Sequence, residues 1–436
     1  MAKTTSRTVQ IDVHHVTRVE GHGNIAVRAS DGTIERVEWQ VPEAPRFFEA
    51  MVRDRSWEHI QTIVSRICGI CSVSHSLAAV KAIEDAMDIG VSEQTRMLRT
   101  LLHYGEYMES HVLHVGYLAA PDLLGQPSVV PLLESHPDLV KTIIRAHRLG
   151  NEVMDWLGGR QTHPVTVVPG GFTRLPTAAQ LLDFKERFQA VVPDLVAIAE
   201  AVASLADGFP DFQRETEYIA LVEEGAYPFY EGRIGSSDTD ERVPVQEFER
   251  VANEYVSPLS TAKWTKWHRD AYAVGALARF NLNADALLPL ALKTAGELGL
   301  EKGCTNPYMN NAAQVVEVVQ TVEHGLLLID ELLTRGIRPE KPSVLPTAGE
   351  GVGSVEAPRG ILFHRYEFDG AGNCVRANIC IPTNQNHGNI QKDFEALVPR
   401  YLDRGEDGLR SLLEMLVRSY DPCISCSTHH LEVEFV

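Results

Sequence analysis

Four of the seven cysteines have the spacing that metal chemistry needs, because they form two Cys-x-x-Cys pairs. The first pair is Cys68 and Cys71, and the second pair is Cys423 and Cys426. Two residues between the thiols allow one turn to present both sulfurs to a single metal. Arg66, just before the first pair, favours the thiolate, which is the form that binds metals. The two pairs therefore predict metal or redox chemistry.

The spacing alone leaves the identity of the metal open. A structural zinc site of four cysteines is the commonest use of two such pairs. Zinc ribbons, however, usually close over short intervals in domains with little core, whereas almost the whole chain separates these two pairs. Four soft thiolates gathered from both ends of a large protein better fit a buried redox metal such as nickel, iron or copper.

The elements that must bring the pairs together are predicted to be strands near both ends and helices between them. Strand-like alternation occurs in TVQIDV, NIAVRA and TIERVEWQV, with Asp31-Gly32 as a hairpin turn. It returns in ILFHRYEF and CVRANICIP, which flank a loop at 369–373. A final helix, DGLRSLLEMLVRSY, leads into the second pair. The other helical segments are WEHIQTIVSRI, SLAAVKAIEDAMDIG, TRMLRTLLHYGEYMESHVLHVGYLAA, TAAQLLDFKERFQAVVPDLVAIAEAVASLA, DALLPLALKTAGELG and NNAAQVVEVVQTVEHGLLLIDELLTRG, the last ending at Gly336.

The predicted fold class is mainly α, a long-helix bundle with small β elements at the N-terminus and before the C-terminal helix. No internal repeat or linker divides the chain, so residues 1–436 are predicted to form one domain. Residues 210–266 are richer in glycine, proline and aromatic residues, which indicates an irregular peripheral lobe with short strands. The glycine-rich stretch at 349–353 runs into a strand rather than a helix, which argues against a phosphate-binding loop.

Charge and composition limit the partners. Of the 436 residues, 44% are hydrophobic and 23% are charged, as in an ordinary globular protein. Acidic side chains outnumber basic ones 59 to 40, and the formal charge of -19 repels nucleic acid. No uninterrupted apolar stretch approaches the roughly 18 to 20 residues that span a bilayer, and the first residues lack an apolar signal core. We therefore expect no nucleic-acid partner, no direct membrane span and a cytoplasmic location.

Four motifs occur in order along nearly the whole chain. They are VTRVEGH at 16–22, RICGICSVSH at 66–75, EAPRG at 356–360 and DPCISCSTH at 421–429. Together they resemble the large, catalytic subunit of nickel-iron hydrogenases, and most of all the soluble cytoplasmic branch of that family. The resemblance implies a hydrogenase large-subunit-like fold and an enzyme that oxidises dihydrogen reversibly at a nickel-iron centre.

The resemblance also implies a ligand set for that centre. By position, Cys68 and Cys423 match the terminal nickel ligands, whereas Cys71 and Cys426 match the cysteines that bridge nickel and iron. The iron is then expected to hold carbon monoxide and cyanide as well.

The diatomic ligands are expected in a pocket formed partly by Pro358, Arg359 and Thr383. Cyanide needs hydrogen-bond donors and carbon monoxide needs apolar walls, which a guanidinium, a hydroxyl and a proline supply. Arg359 is therefore also predicted to serve catalysis. Asp421 and His75 are expected beside the centre, where the His75 ring hydrogen bonds to a cysteine sulfur and tunes it.

Two further roles follow from the resemblance. Glu20 matches a proton-relay carboxylate, and heterolytic cleavage of dihydrogen requires a base within hydrogen-bond reach of the proton. Glu49, the backbone carbonyl of Ile379, and His429 match positions that hold a magnesium-like ion. A hard cation suits a carboxylate, a carbonyl and water.

The partners follow from the cysteine count. No iron-sulfur cysteine pattern exists beyond the two pairs, so electrons must leave through another protein. The resemblance implies that an iron-sulfur small subunit contacts the face near the first pair. It also implies further electron-transfer subunits of the flavin, nicotinamide, deazaflavin or heterodisulfide type.

Three alternative functions stay open. They are a hydrogen-sensing regulatory hydrogenase, a quinone-reductase-type scaffold and a zinc-binding structural subunit. Retention of all four cysteines argues against the quinone-reductase scaffold, which has lost these ligands. The C-terminal tail at 430–436 also has two interpretations: relatives are cleaved directly after the position of His429, and this tail is either removed on maturation or kept.

Overall fold

The computed structural model describes residues 8–205 and 208–428. Its strands are β1 Thr8–Val13, β2 Asn24–Ser30, β3 Thr33–Gln40, β4 Val167–Val168, β5 Gly171–Phe172, β6 Glu217–Val222, β7 Arg233–Ser236, β8 Asn253–Tyr255, β9 Trp264–Lys266, β10 Tyr272–Ala273, β11 Gly349–Ala357, β12 Gly360–Phe368 and β13 Cys374–Cys380. Its α-helices are α1 Phe48–Val52, α2 Trp57–Val64, α3 Ser72–Ala86, α4 Glu93–Leu113, α5 Ala120–Leu123, α6 Leu132–Ser135, α7 Pro137–Gly158, α8 Ala178–Ser204, α9 Phe248–Val251, α10 Ala276–Asn283, α11 Pro289–Glu297, α12 Asn310–Arg335, α13 Pro382–Tyr401, α14 Gly405–Ser419 and α15 Ile424–Ser427.

The long helices α4, α7, α8 and α12 pack against one another as a bundle. Helix α4 begins where the Ser92 side chain accepts a hydrogen bond from the Thr95 amide. Helix α8 begins with a reciprocal capping box between Thr177 and Gln180. Helix α12 ends at Gly336, whose φ of 70° is a left-handed value that glycine adopts without strain. The predicted mainly α class is confirmed.

Two three-stranded antiparallel sheets lie near the ends of the chain. In the first, formed by β1, β2 and β3, Ser30 pairs with Thr33 across the predicted Asp31-Gly32 turn. Both turn residues have positive φ, 50° and 78°, as a tight hairpin requires. The second sheet consists of β11, β12 and β13, and the 369–373 loop joins its last two strands. Both predicted hairpins are therefore present.

Strand β11 lies directly on helix α3 because its glycines have no side chain. A Cβ added at Gly351 would lie 2.2 Å from the Ala86 amide nitrogen and 2.3 Å from the Ala82 carbonyl oxygen. Close packing leaves no room for such an atom without a shift of the backbone. Helix α3 starts just after Cys71, and β11 ends just before Pro358. The glycine-rich stretch at 349–353 therefore sets the distance between two of the four sequence motifs.

The largest apolar cluster of the core contains all four paired cysteines. Residues of β1 to β3, α3, α4, α12, α13 and α14 contribute to this cluster. A smaller cluster joins β6 and β7 to the second sheet, and in it the Phe248 ring stacks on Phe363 with centroids 4.6 Å apart. The 210–266 segment thus packs part of its apolar surface on β11 to β13. Its assignment as a peripheral lobe of a single domain stays a prediction.

Two helical segments differ from the sequence prediction. The expectation of one helix over 285–299 is wrong, because a 3-10 turn at Ala284–Ala286 is followed by a separate helix that starts at Pro289. Proline lacks an amide hydrogen and fits the first turn of a new helix rather than the middle of an old one. Helix α14 is not the final helix, since the short α15 follows Cys423.

Residues Pro307–Arg335 are long and apolar enough by composition to cross a membrane. However, 72% of their most apolar 18-residue window is buried inside the protein. This segment is therefore a core helix of the bundle.

Candidate metal centre

The four paired cysteines meet at one buried point. Their Sγ atoms all lie within 4.8 Å of one another. The Cys68 and Cys423 sulfurs are 3.5 Å apart, and the Cys71 and Cys426 sulfurs are 3.8 Å apart, so all four are free thiols rather than disulfides. A compact set of four soft sulfur donors fits a nickel, iron or zinc centre.

Local structure positions the first pair. Cys68 has an extended backbone after a 3-10 turn at Ser65–Ile67, and Cys71 is the N-cap residue of α3. The amides of Ile70 and Cys71 point at the Cys68 sulfur, at 3.3 Å and 3.5 Å. These donors, together with the positive end of α3, stabilise negative charge on the sulfur.

The second pair follows the end of α14. Cys423 is the N-cap residue of α15, and its amide donates to the Thr383 hydroxyl at 3.0 Å. Asp421 takes a left-handed backbone with φ of 48°, which turns the chain between the two helices. The sequence order Asp-Pro-Cys therefore redirects the backbone so that Cys423 faces the first pair.

The four cysteine side chains can all ionise together only if a cation lies among them. Hydrogen bonds from the other thiols, first of all Cys423, hold the pKa of Cys68 well below its usual value. Burial raises the pKa values of Cys423 and Cys426 well above theirs, so four thiolates cannot coexist there unaided. A bound divalent metal would supply the missing charge and displace the thiol protons.

Arg359 lies beside the cluster and is buried, with 4% of its surface exposed. Its Nε donates to the Asp421 carbonyl at 2.7 Å, and its Nη2 donates to the Asp421 carboxylate at 3.0 Å. Its Nη1 is 3.4 Å from the Ser110 hydroxyl. The Asp421 carboxylate and the nearby cysteines outweigh burial and raise the pKa of Arg359, so the guanidinium stays charged. The Arg359 guanidinium is therefore a fixed cation beside the sulfur cluster, and it has further N–H groups that can donate hydrogen bonds.

Glu20 is bound to the backbone of the second pair. It forms a parallel β-bridge with Cys423, and its carbonyl accepts a hydrogen bond from the Ile424 amide at 3.0 Å. Its carboxylate Oε2 accepts from the Ser425 amide at 3.0 Å. Burial and the nearby Cys68 raise the pKa of Glu20, which favours a carboxyl group that can take up and release a proton.

The residues predicted for a magnesium-like ion are partly brought together. Glu49 is buried, and its Oε1 accepts a hydrogen bond from the Ile379 amide at 2.6 Å. Nearby, the Arg46 amide donates to the Thr428 carbonyl at 2.7 Å, which ties this region to the end of the chain. His429 lies outside the described residues.

His75 belongs to a buried pair of histidines. Its Nδ1 is 3.0 Å from Nε2 of His364, and the His364 Nδ1 is 2.6 Å from the Tyr366 hydroxyl. His75 therefore sits one turn into α3, four residues from Cys71 and next to the second sheet. The expected hydrogen bond from its ring to a cysteine sulfur stays a prediction.

Sequence reasoning missed several polar side chains around the cluster. Glu106 accepts hydrogen bonds from the Val73 amide at 2.7 Å and the Ser74 amide at 3.1 Å, so it caps α3 just beyond Cys71. His114 is 2.5 Å from the Gln314 side chain, whose amide donates to Asp421 at 3.1 Å. The signal in the sequence was the row of polar residues among the apolar ones of α4 and at His114, just after it.

A second buried network holds the backbone that carries Arg359. Arg279 donates to the Ala357 carbonyl at 3.0 Å and to the Pro358 carbonyl at 2.9 Å. Glu317 anchors Arg279 through two bonds of 2.6 Å, and Arg279 lowers the pKa of Glu317 to about 2 despite burial. The loop before Arg359 is thus fixed by a fully buried ion pair.

Comparisons with known proteins agree with this geometry. A family model described as nickel-dependent hydrogenase matches residues 46–143. The alpha subunit of sulfhydrogenase 2 from Pyrococcus furiosus is 31% identical over 97% of this chain and 100% of that relative. A subunit of the F420-non-reducing hydrogenase from Methanothermobacter marburgensis is 32% identical over 97% of this chain and 95% of its own length. The solved structure of an NAD+-reducing [NiFe]-hydrogenase in the H2-reduced state superposes with a TM-score of 0.85 and 26% identity, over 96% of this chain and 99% of that chain.

Proposed function

The chain belongs to the nickel-dependent hydrogenase family and is the catalytic subunit of a nickel-iron hydrogenase, and we propose that its two cysteine pairs hold the nickel-iron centre. The observation that carries this proposal is the convergence of four buried sulfurs within 4.8 Å. When bound, the centre supplies heterolytic cleavage of dihydrogen and accepts its two electrons. Cys68 and Cys423 are the proposed terminal nickel ligands, and Cys71 and Cys426 are the proposed bridges to iron.

The surroundings of the cluster suit the diatomic ligands that we propose for the iron. Pro358, directly before Arg359 in the chain, is the proposed apolar wall, and Arg359 offers a charged donor that is fixed by Asp421. Thr383 accepts a hydrogen bond from Cys423 through its oxygen, which leaves its hydroxyl hydrogen for another acceptor. Cyanide on iron would accept from these donors, and carbon monoxide would face the apolar side.

Glu20 is the proposed acceptor of the proton. Its backbone is held against Cys423, and the Ser425 amide fixes one of its carboxylate oxygens. The raised pKa of Glu20 lets the carboxyl group take a proton from a cysteine sulfur and pass it on. Glu49, the Ile379 carbonyl and His429 are proposed to hold a magnesium-like ion, which the buried Glu49 carboxylate beside Ile379 supports.

The partners follow from the fate of the electrons. The relatives are named as subunits of larger hydrogenases, which supports further subunits here. Outside the two pairs, Cys304, Cys374 and Cys380 are the cysteines that remain, and no two of them have the Cys-x-x-Cys spacing. We therefore propose an iron-sulfur small subunit near the first pair, further flavin, nicotinamide, deazaflavin or heterodisulfide subunits, and a cytoplasmic location.

Metal analysis of the purified complex tests the proposed ligand set. We expect about one nickel and about one iron per chain beyond the iron of any partner, and loss of nickel in Cys68→Ser and Cys423→Ser. Cys304→Ser is the matched control, because that thiol lies outside the cluster, and it should keep its nickel. Zinc in place of nickel, or full nickel in both ligand variants, would contradict the proposal.

A further inference from the structure

Arg18, Asp122 and Arg418 form an ion cluster next to the loop that carries Glu20. Asp122 accepts hydrogen bonds from the Nε and Nη2 atoms of Arg418 at 2.6 Å and 3.0 Å. The same carboxylate accepts from the Nη2 atom of Arg18. The exposed side-chain fractions of Arg18, Asp122 and Arg418 are 15%, 10% and 3%. We call this arrangement the Asp122 cluster.

The Asp122 cluster joins both chain segments that build the proton site. Arg18 precedes Glu20 by two residues and adopts a left-handed backbone with φ of 61°. Arg418 lies at the end of α14, five residues before Cys423, and its Nη1 also donates to the Thr17 carbonyl at 3.1 Å. One carboxylate therefore holds the loop before Glu20 and the helix before Cys423 in a fixed relation.

A third segment is tied to the same cluster. The Nη1 atom of Arg18 donates to the Leu118 carbonyl, within the π-helical stretch His114–Ala119. A stretch of this kind leaves the regular α-helical bonding pattern, so its carbonyls become accessible to side chains. Asp122 follows directly in α5, which places the carboxylate beside that carbonyl. Arg18 is thus held at both ends of its guanidinium.

The charge balance makes Asp122 the critical member. Arg18 and Arg418 share the Asp122 carboxylate in a mostly buried setting. Arg418 also pairs with Glu414 at 3.3 Å. Loss of the Asp122 charge would leave the two guanidinium groups facing each other with only the Glu414 carboxylate, which is 23% exposed and pairs with Arg418, to offset them. An exposed ion pair contributes far less, because water screens it. The guanidinium of Arg18 is bonded to the Asp122 carboxylate and the Leu118 carbonyl, and the carboxylate is the charged one of these two acceptors. Removal of the Asp122 charge would therefore displace Arg18, and with it the backbone that leads to Glu20.

We propose that Asp122 is a positioning residue for proton transfer, which fixes the Glu20 carboxyl group against Cys423 through Arg18 and Arg418. The proposal rests on the proposed role of Glu20 as the proton acceptor. Asp122 acts through geometry and does not touch the reacting atoms. A shift of the Glu20 loop by about 1 Å is enough to slow a positioned transfer by a large factor.

The test uses the purified complex with the variant Asp122→Asn. Nickel and iron contents and the infrared bands of iron-bound diatomic ligands should match the unmodified complex. Exchange between dihydrogen and deuterium oxide should fall by about tenfold or more, and the solvent isotope effect on turnover should rise, since proton transfer becomes limiting. Asp194→Asn is the matched control, because Asp194 binds Arg145 through two bonds at the exposed surface, and it should leave every readout unchanged.

Two further variants keep the outcome decisive. Arg18→Lys retains the charge but loses the fork that reaches both Asp122 and Leu118, so it should also slow exchange with its metal centre intact. If Asp122→Asn fails to assemble, normal exchange in Arg18→Lys overturns the proposal. Loss of the metal centre in both variants also overturns it, since that result means a purely structural role.

A parallel measurement on Glu20→Gln separates this proposal from the proposed function. If Glu20→Gln exchanges normally, the assigned proton acceptor is wrong, and the positioning role falls with it. If Glu20→Gln stops exchange while Asp122→Asn and Arg18→Lys both exchange normally, the assignment of Glu20 stands and only the role of Asp122 is refuted.

Discussion

At the scale of single residues, the cluster is built from groups whose chemistry depends on burial. The four thiols cannot all ionise in an apolar pocket without a cation, and Arg359 supplies only one positive charge beside them. Glu20 is the group with a raised pKa that is bonded to the second pair. These environments suit the sulfurs to metal binding, the guanidinium to hydrogen-bond donation and the carboxyl group to proton uptake.

The first prediction concerns Glu20→Gln. The amide keeps the size of the side chain but cannot take up a proton, so exchange between dihydrogen and deuterium oxide should fall by at least about a hundredfold. Nickel and iron contents should stay the same, because Glu20 holds the second pair mainly through its backbone carbonyl. Glu35→Gln, at an exposed position of β3, is the control and should exchange normally. Unchanged exchange in Glu20→Gln would remove this residue from the mechanism.

Sequence reasoning was most successful for residues that lie next to one another in the motifs. Cys68, Cys71, Cys423 and Cys426 could be singled out because their spacing is itself chemical information. Asp122 could not, because its two arginine partners lie about a hundred and about three hundred residues away. A lone aspartate after a proline is typical of an ordinary helix start, so only the fold reveals its partners.

At the scale of elements, the contact between β11 and α3 fixes the site. Helix α3 carries the first cysteine pair at its start, and β11 leads to Pro358 and Arg359. The glycines of β11 let the strand backbone touch the helix backbone, which no larger residue allows. The distance between the sulfurs and the guanidinium therefore depends on the absence of side chains at the glycines of 349–353.

The second prediction tests that contact with Gly351→Ala. The added methyl group would lie 2.2 Å from the Ala86 amide nitrogen, so the strand must move away from the helix. Overpacking of this kind should lower the free energy of unfolding by about 1–3 kcal/mol, measured by denaturant titration, and should reduce nickel content. Gly370→Ala is the control, because nothing lies within 4 Å of its added Cβ. Equal stability and nickel content in the two variants would show that the contact tolerates expansion.

Element prediction succeeded where periodicity and caps agreed. Helix α12 begins near the predicted residue and ends before Gly336, as its pattern indicated. The hairpin at Asp31-Gly32 also follows from local turn chemistry. The break before Pro289 was missed because apolar periodicity continues across it, and the packing of β11 on α3 was missed because glycine has no hydropathy signal. Periodicity predicts which helices and strands exist, whereas tertiary contacts determine which of them pack together.

At the scale of the whole molecule, the two ends of the chain close one site. Glu20, near the start, is bonded to Ile424 and Ser425, near the end of the described residues. The first pair reaches the second across most of the sequence, and helices of the bundle fill the space between. Local patterns were enough to predict the fold class. That the two cysteine pairs meet at one site was predicted from the motifs of a known family, because the two pairs lie far apart in the sequence.

The closure also bears on the partners that we propose for this chain, since its relatives are named as subunits of hydrogenases. The cluster is buried, and among the described residues the other cysteines do not form a second group of metal ligands. We propose that the electrons pass to another subunit, which approaches the first pair. On this proposal, the dihydrogen reaction and the outward electron flow are separated between subunits, and Glu20 keeps the first step of the proton route in this chain.

Infrared spectroscopy of the purified complex tests the central claim most directly. If four cysteines hold nickel and an iron with carbon monoxide and cyanide, stretching bands of metal-bound diatomics must appear in a spectral window where ordinary protein groups do not absorb. We expect those bands in the unmodified complex and their loss in Cys71→Ser and Cys426→Ser, which remove the proposed bridges to iron. A metal-loaded complex that turns over dihydrogen without such bands, or that keeps them when both bridging cysteines are replaced, would contradict the account.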